Sequence, residues 1–319
     1  MVLVVVCLAL AVVASLALGS KAIAPADVAA ALTGRSADPQ VVGLVLGLRV
    51  PRTVAGLVAG AALGLAGAVV QALTRNPLAD PGILGVNAGA ACAVALAVGL
   101  LGVDRPALYA FFALAGALAI SLAVCALGLR DPLRLILTGM ALGAVLAGLT
   151  GAIRLTDRQA FNAMMAWEIG SLADKSWDVI VPLAPFAAVG AALALALGPR
   201  LDALALGEET AQGLGVNLAV TRALALAALS LLAGAATALV GPISFVGLMV
   251  PHLARRLVGA AQPWVLALSA LGGPALLLAA DVIGRLVVSP SEIRAAIVTA
   301  FVGAPLLIYL ALRPKLVTL

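Results

Sequence analysis

The chain has 319 residues, of which 64% are hydrophobic and 10% charged, and its mean hydropathy is +1.21. A soluble protein of this length needs a larger polar surface, so the composition excludes a soluble fold and indicates a protein that crosses a membrane several times. The net charge of +5 does not indicate nucleic-acid binding, because neither a basic run nor a polar surface bearing aromatic residues accompanies it.

Nine apolar runs are long enough, or nearly so, to cross a membrane as helices, and dividing the longest gives ten spans. A spanning helix needs roughly 20 mainly apolar residues, because each adds about 1.5 Å toward about 30 Å of hydrocarbon. The longest run, 223–250, is divided at Gly241-Pro242 into one helix and a shorter one that ends near Val258. The sequence therefore predicts an all-α polytopic membrane protein with ten transmembrane helices in a single transmembrane domain, 1–319. The other runs are residues 1–20, 53–74, 81–103, 107–129, 135–153, 179–198, 264–280 and 295–312.

The first run is interpreted as a helix rather than a cleaved signal peptide. Residues 1–19 lack the basic start of a signal peptide, and no clear small-residue cleavage site precedes a soluble domain. An even number of spans places both termini on one side of the membrane. Basic residues do not identify that side, because with the termini inside nine lie on inner loops and ten on outer loops.

Two polar segments between the spans are predicted to act at the membrane surface. Residues 154–178 form an outer interfacial segment, in which Trp167 and Trp177 suit the depth of the lipid headgroups. Residues 199–222 contain two adjacent acids and several glycines, and they are long for a connector between spans. This second segment is therefore predicted to dock another protein.

Two interruptions of the apolar pattern place irregular backbone at or near the membrane. Such backbone persists only where protein or a water-filled cavity satisfies its polar groups, which favours the wall or hinge of a pathway. For the first interruption, a tight turn at the membrane surface is a nearly equal alternative. The residues that break the pattern are Asn76, Pro77, Pro81, Gly241, Pro242 and Pro251.

The second and seventh spans resemble each other. The second begins at Arg52-Thr53 and ends in NPLADPG, and the seventh begins at Thr221-Arg222 and ends in GPISFVG. In a ten-helix protein these spans run in opposite directions, which indicates a weak inverted five-plus-five repeat. Glycine at every fourth position over 56–64 also predicts close contact between the second span and a neighbouring helix.

Three arginines and one acid lie at the predicted outer ends of spans. Arg49, Arg52 and Arg285 either extend toward the headgroups and balance nearby acids, or form salt bridges with a soluble partner. Asp281 and Arg285 are four residues apart on one helix face, where they can pair. Alternatively Asp281 is an ion-coupling carboxylate, since acids within a membrane are functional candidates, and the protein is then a secondary transporter.

The sequence lacks the motifs of enzymes and of metal sites. One histidine excludes HExxH, and none of the three lysines follows a glycine, as a P-loop requires. We therefore predict no catalytic residue, no metal site and no cofactor in this chain, and we expect ATP to bind a separate subunit. His252 is expected to make a polar contact, and an integral-membrane enzyme is the least favoured alternative.

Five segments, in order along nearly the whole chain, resemble the blocks of the FecCD-type permeases. These permeases are the membrane subunits of ATP-driven importers for iron–siderophore complexes, haem and cobalamin. The two blocks NPLADPG and GPISFVGL are specific to this family. The five segments are LRVPRTVAGLVAGAALGLAGAVVQALTRNPLADPGILGVNAGA, WEIGSLADKSWD, ALGEETAQGLGV, GPISFVGLMVPHLARR and PSEIRAAIVTAFVGAPLLIYLA.

The resemblance implies a type II ABC importer permease in the cytoplasmic membrane of a prokaryote, with both termini cytoplasmic. It implies a second permease copy, as a homodimer or heterodimer, and two ATP-binding subunits that hold ATP-Mg on the cytoplasmic side. It also implies an extracytoplasmic substrate-binding protein. The expected function is import of an iron–siderophore complex, with cobalamin or haem as alternative cargo.

The resemblance also implies roles for individual residues. Arg49, Arg52 and Arg285 match the outer arginines that dock the binding protein. Pro132 and Leu133 match a cytoplasmic gate between the fourth and fifth spans, although the small hydroxyl residues of cobalamin importers are absent here. Residues 199–222 match the cytoplasmic segment that couples to the ATPase. Its matching positions are Leu204, Gly207, Glu208, Glu209, Gly213, Leu214 and Gly215.

Overall fold

The computed structural model describes residues 1–19, 23–36, 38–128, 132–156, 158–288 and 291–312. Within these ranges the regular structure is helical, and no strand occurs. The helices are α1 (Val2–Ala17), α2 (Pro25–Leu32), α3 (Pro39–Leu44), α4 (Val50–Thr74), α5 (Val86–Gly99), α6 (Pro106–Gly128), α7 (Pro132–Thr156), α8 (Arg158–Glu168), α9 (Trp177–Ala196), α10 (Gly198–Ala205), α11 (Glu208–Gly213), α12 (Leu218–Val240), α13 (Val246–Val258), α14 (Gln262–Val287) and α15 (Ala295–Ala311).

Each of the ten predicted spans corresponds to one helix of this fold. The corresponding helices are α1, α4, α5, α6, α7, α9, α12, α13, α14 and α15. Six helices in the described ranges are long and apolar enough to cross a membrane, whereas α1, α5 and α15 are apolar but shorter, and α13 has 13 residues. The all-α membrane fold is therefore confirmed, and the count of ten spans stays a prediction.

The second span begins earlier than the sequence predicts. A continuous helix of 36 residues runs from Pro39 to Thr74, and the side chain of Asp38 caps its start by accepting the Gln40 N–H at 2.8 Å. One π-helical turn, Val45–Arg49, widens this helix just before Pro51, which has no N–H to give to the preceding turn. At about 54 Å the helix is longer than the hydrocarbon layer.

The α4 helix lies at the centre of the bundle, against α14, α12 and α13. It meets α14 antiparallel and so closely that a Cβ on Gly60 would lie 2.5 Å from the Cα of Pro274. Gly64 is in the same position against the backbone of Ser269. The predicted close helix contact is therefore confirmed, and small residues bring the two backbones together without a gap.

Both interruptions are irregular backbone inside the fold. After α4, residues 76–80 lead into a 3₁₀ turn, Pro81–Leu84, whose Leu84 is buried, so this segment is more than a surface turn. After α12, residues 241–245 form neither helix nor strand, and Gly241 and Phe245 have positive φ. The order of long helix, irregular segment and short helix therefore occurs twice, as an inverted repeat requires.

Candidate functional site

An ion cluster lies where α1 ends, α4 begins and α14 ends, and we call this side of the bundle the Arg52 end. Arg52 bonds Asp281 from Nη2 to Oδ1 at 2.8 Å and Glu292 from Nη1 to Oε2 at 2.8 Å. Arg285 bonds the other oxygen of Asp281 at 2.8 Å, which confirms the predicted pair four residues apart on α14. The buried Asp281 carboxylate is thus shared by two guanidinium groups, as a buried charge requires.

Two arginines of the Arg52 end hold the end of α1. Arg49 donates from Nη1 to the carbonyls of Leu16 and Ala17, each at 2.8 Å. Arg285 donates from Nη1 to the carbonyls of Ser15 at 3.0 Å and Leu18 at 2.9 Å. The last carbonyls of a helix have no partner within it and carry partial negative charge, so these two cations cap α1.

The three arginines differ in how far they are buried within this chain. Arg49 is 5% exposed and Arg285 2%, so both guanidinium groups lie inside the chain here, and the docking role expected of them stays a prediction. The side chain of Arg52 is 13% exposed, and its second partner Glu292 is partly exposed. Among the residues that the structure describes, the ion pairing of Arg52 thus reaches the surface through Glu292.

The opposite side of the bundle, which we call the Glu208 end, carries the α10–α11 hairpin. Gly207 links the two helices with φ of +110°, a conformation that glycine adopts readily. Glu208 Oε1 accepts from Arg222 Nη2 at 2.7 Å and lies 3.8 Å from Arg75 Nη2. The hairpin is thus tied to the start of α12 and to the residue after α4.

The outer face of the hairpin is apolar at its two turns. Leu206 is 66% exposed and Leu214 64%, and Glu209, Gly213 and Gly215 are exposed beside them. Leu204 is instead buried against the bundle, so it anchors α10 and is not part of this face. Beside the hairpin lies an open cleft of about 760 Å³ whose lining includes Glu208, Gln212, Asn217 and Arg222.

A second cleft, of about 390 Å³, lies between α5, α7 and α8. Its lining includes Asn87, Thr150 and Pro242, together with an ion pair between Arg154 and Glu168. Thr237 on α12 and Asn87 are joined by a hydrogen bond of 2.9 Å at its base. The cleft therefore combines small apolar walls with a few polar groups.

Of the two predicted gate residues, the structure describes Leu133, which is exposed at the start of α7. Pro132 is the first residue of α7, and its side chain lies outside the described residues. Further along α7, Met140 and Val145 are exposed, as is Phe301 on α15. These apolar side chains are therefore exposed on the surface of the single chain.

The profile of the FecCD transport family matches residues 7–313. The chain belongs to the FecCD transport family. It is 47% identical over 314 residues to the ferric enterobactin transport system permease protein FepD of Escherichia coli, covering 96% of this chain and 92% of that protein. It is 41% identical over 271 residues to the Fe(3+)-citrate import system permease protein YfmD of Bacillus subtilis, covering 84% of this chain and 81% of that protein.

The architecture is similar to that of a solved transporter. A chain of a metal-chelate type ABC transporter in an inward-facing conformation superposes with a TM-score of 0.86 and 29% identity, covering 97% of each chain. The chain is thus a multi-pass permease of the ABC importer class, and the all-α fold expected from the sequence is confirmed. No group of three or more His, Cys, Asp or Glu side chains that could hold a metal ion occurs in the described ranges.

Sequence reasoning missed several residues of these clusters. Glu292 gave no signal beyond its place in the PSEIR block, and its pairing with Arg52 spans 240 positions. The sequence showed Arg222 only as the start of the seventh span, yet from α12 its guanidinium pairs with Glu208 of the hairpin. Gln71 was the one strongly polar side chain inside the run 53–74, and that isolation was a usable signal.

Proposed function

We propose that this chain is the permease subunit of an ATP-driven importer that carries an iron–siderophore complex across the cytoplasmic membrane of a prokaryote. The observation that carries the proposal is the similarity over nearly the whole chain to FepD, a permease of ferric enterobactin transport. The likeness to a metal-chelate type transporter supports the same class of cargo. Cobalamin and haem stay the alternatives, since permeases named for vitamin B12 and hemin also align at 37% identity.

The two ends of the bundle support an orientation. The hairpin at the Glu208 end, within residues 199–222, offers exposed leucines to an ATP-binding subunit, so we place that end in the cytoplasm. Since α1 finishes at the Arg52 end and α15 starts there, after Ile293 bonds Gly284 of α14, the start of α1 and the last turn of α15 point to the Glu208 end, and we infer that both termini are cytoplasmic. The whole chain, 1–319, then acts as one transmembrane domain with the segment 154–178 on the outer face.

The working complex contains two permease chains, two ATP-binding subunits that hold ATP-Mg, and an extracytoplasmic binding protein. Closure of the ATP-binding subunits would move the α10–α11 hairpin. The ion pairs of Glu208 with Arg75 and Arg222, which we call the Glu208 bridge, would pass that motion to α4 and α12. Pro132 and Leu133 at the start of α7 form the cytoplasmic gate in this scheme. Clefts with small apolar walls and few charges suit a large hydrophilic cargo, because tight binding would slow its release.

Docking of the binding protein is assigned to Arg52. A carboxylate of the binding protein would replace Glu292 on the exposed side of the Arg52 guanidinium, while Asp281 holds its other side. Arg49 and Arg285 support docking indirectly, because they fix the end of α1 beside it. Asp281 pairs with two arginines, which favours this structural role over the ion-coupling alternative.

The cargo is tested by uptake in cells that lack their own ferric siderophore and haem permeases. The chain is expressed with its ATP-binding subunit and binding protein, and cells receive ⁵⁵Fe-enterobactin, ⁵⁵Fe-citrate, hemin or labelled vitamin B12. We expect uptake of a ⁵⁵Fe chelate that is lost when the ATP-binding subunit is inactivated. Uptake of only hemin or only vitamin B12 would contradict an iron–siderophore cargo and identify that compound as the cargo. Uptake without the ATP-binding subunit would support a secondary transporter.

A further inference from the structure

A buried glutamine on α4 lies between the two irregular segments. Gln71 is fully buried, and its Nε2 lies 3.4 Å from the carbonyl oxygen of Ala79 in the first irregular segment. The same nitrogen lies 3.2 Å from the carbonyl of Gly247 and 3.3 Å from that of Leu248, in the first turn of α13. One amide thus donates to the first irregular segment and to the start of α13, directly after the second, and these acceptors are more than 160 positions apart in the sequence.

One of these carbonyls lacks its usual donor. In a helix the carbonyl of Gly247 would accept from the N–H four residues later, but that residue is Pro251, which has none. The Gln71 amide supplies the missing donor. The sequence indicated Pro251 only as a break in the apolar pattern. Because Pro251 cannot donate to the carbonyl of Gly247, that carbonyl is free to accept from Gln71 and so joins α13 to α4.

The orientation of the Gln71 amide is set by an arginine. Arg255 donates from Nη1 to Gln71 Oε1 at 2.6 Å, and its Nε and Nη2 make no hydrogen bond with the described residues. An arginine has only donors, so it fixes the oxygen of the amide toward itself and turns the NH₂ group toward the three carbonyls. Arg255 and Gln71 therefore act together.

We propose that Gln71 is a positioning residue for transport, which links the first irregular segment to the start of α13 so that the two move as one unit. The inference rests on the proposed function, because it assigns a path by which motion from the Glu208 end reaches both halves of the repeat. A residue that only satisfied the free carbonyl of Gly247 would stabilise the fold without linking the segments.

Two substitutions separate these roles. Gln71→Met keeps the length of the side chain and removes both the donor and the acceptor. Adding Pro251→Ala returns an N–H to α13, so Gly247 regains its own helical partner and no longer needs Gln71. Gln40→Met, at an exposed position, is the matched control for the glutamine-to-methionine change.

In proteoliposomes with all partners, the control should transport as wild type. Gln71→Met should assemble and hydrolyse ATP but transport about tenfold less, the size of effect expected from a lost buried hydrogen bond. The double variant should regain the part of the thermal stability that the free carbonyl of Gly247 cost, but not the part lost when Arg255 loses its acceptor, and it should still transport about tenfold less than Pro251→Ala alone. Transport by the double variant equal to that of Pro251→Ala would overturn the proposal.

Amide hydrogen exchange on the purified permease tests the link without cargo. In the double variant we expect exchange at residues 78–84 to rise about tenfold while α13 stays protected, because the segments are no longer joined. Wild-type protection at residues 78–84 would overturn the link. The two proposals fail separately. If the wild-type complex moved no iron chelate, the proposed function would be wrong, but hydrogen exchange would still decide whether Gln71 links the first irregular segment to α13.

Discussion

The Arg52 end and the Glu208 end both pair arginines with carboxylates, but they use the pairs differently. At the Arg52 end the shared carboxylate, Asp281, is buried, and two of the three arginines, Arg49 and Arg285, donate to the last carbonyls of α1. At the Glu208 end the shared carboxylate is 40% exposed and has exposed leucines beside it. The first arrangement holds helices together, whereas the second offers a surface to another protein.

The difference has energetic consequences. Removing one partner of a buried ion cluster leaves an uncompensated charge and costs about 3–5 kcal/mol, whereas an exposed pair is worth about 0–1 kcal/mol. Substitutions at the Arg52 end should therefore act first on stability, and those at the Glu208 end first on association with partners.

The largest effect is expected from Asp281→Asn. It leaves Arg52 and Arg285 without their shared charge and should lower the free energy of unfolding by about 3–5 kcal/mol. Thermal unfolding in detergent measures this, with Asp104→Asn at an exposed site as the control. An unchanged melting temperature together with lost transport would instead indicate an ion-coupling carboxylate.

The next effect concerns the apolar face of the hairpin. Leu214→Asp places a charge where an ATP-binding subunit is expected to pack, and should weaken that association by about 2 kcal/mol, as at an interface hot spot. Co-purification of the subunit is the measurement. Leu101→Asp, an equally exposed leucine between α5 and α6, should have no such effect; equal loss in both variants would contradict the assignment.

A smaller effect is expected for docking at the Arg52 end. Arg52→Glu removes the ion pair that reaches the surface and also faces the buried Asp281, so thermal unfolding is measured beside it; in the folded fraction, binding of the binding protein should weaken about tenfold by like-charge repulsion. Partial rescue is expected from reversing an acid on the binding protein. The exposed Arg105→Glu is the control; unchanged binding and uptake in Arg52→Glu would remove Arg52 from the docking surface.

The smallest change in stability is expected at the Glu208 bridge. Glu208→Gln should lower the free energy of unfolding by less than Asp281→Asn does, because the Glu208 carboxylate is 40% exposed although its partner Arg222 is buried. It should nevertheless reduce transport per ATP hydrolysed, measured in the reconstituted complex. Stability loss as large as that of Asp281→Asn would show that the two ends do not differ as described.

Sequence predicted the helices well because apolar length determines which segments enter a membrane. Each of the ten predicted spans corresponds to a helix, and α12 ends where the irregular backbone begins at Gly241. The early start of the second helix at Pro39 escaped prediction, since the apolar stretch 41–48 is only eight residues long and Arg49, Pro51 and Arg52 separate it from the run 53–74. A π-helical turn before Pro51 made the continuation possible.

The candidate site was only partly predictable, because its pairings join residues far apart in the chain. The sequence placed Arg49, Arg52 and Arg285 at one end, yet their roles depend on where the last turn of α1 lies. Nothing local in the sequence shows that two of them cap that helix and one reaches Glu292. Gln71 likewise acquires its role from the carbonyl that Pro251 leaves free in α13.

The central claim is that ATP acts at the Glu208 end on cargo delivered at the Arg52 end. Proteoliposomes containing the permease and its ATP-binding subunits test it, with the binding protein and ⁵⁵Fe-enterobactin outside and ATP-Mg enclosed. The account predicts ⁵⁵Fe accumulation only in vesicles whose hairpin face is inside, and none without the binding protein or with ATP outside alone. Accumulation driven by an ion gradient in the absence of ATP would contradict it.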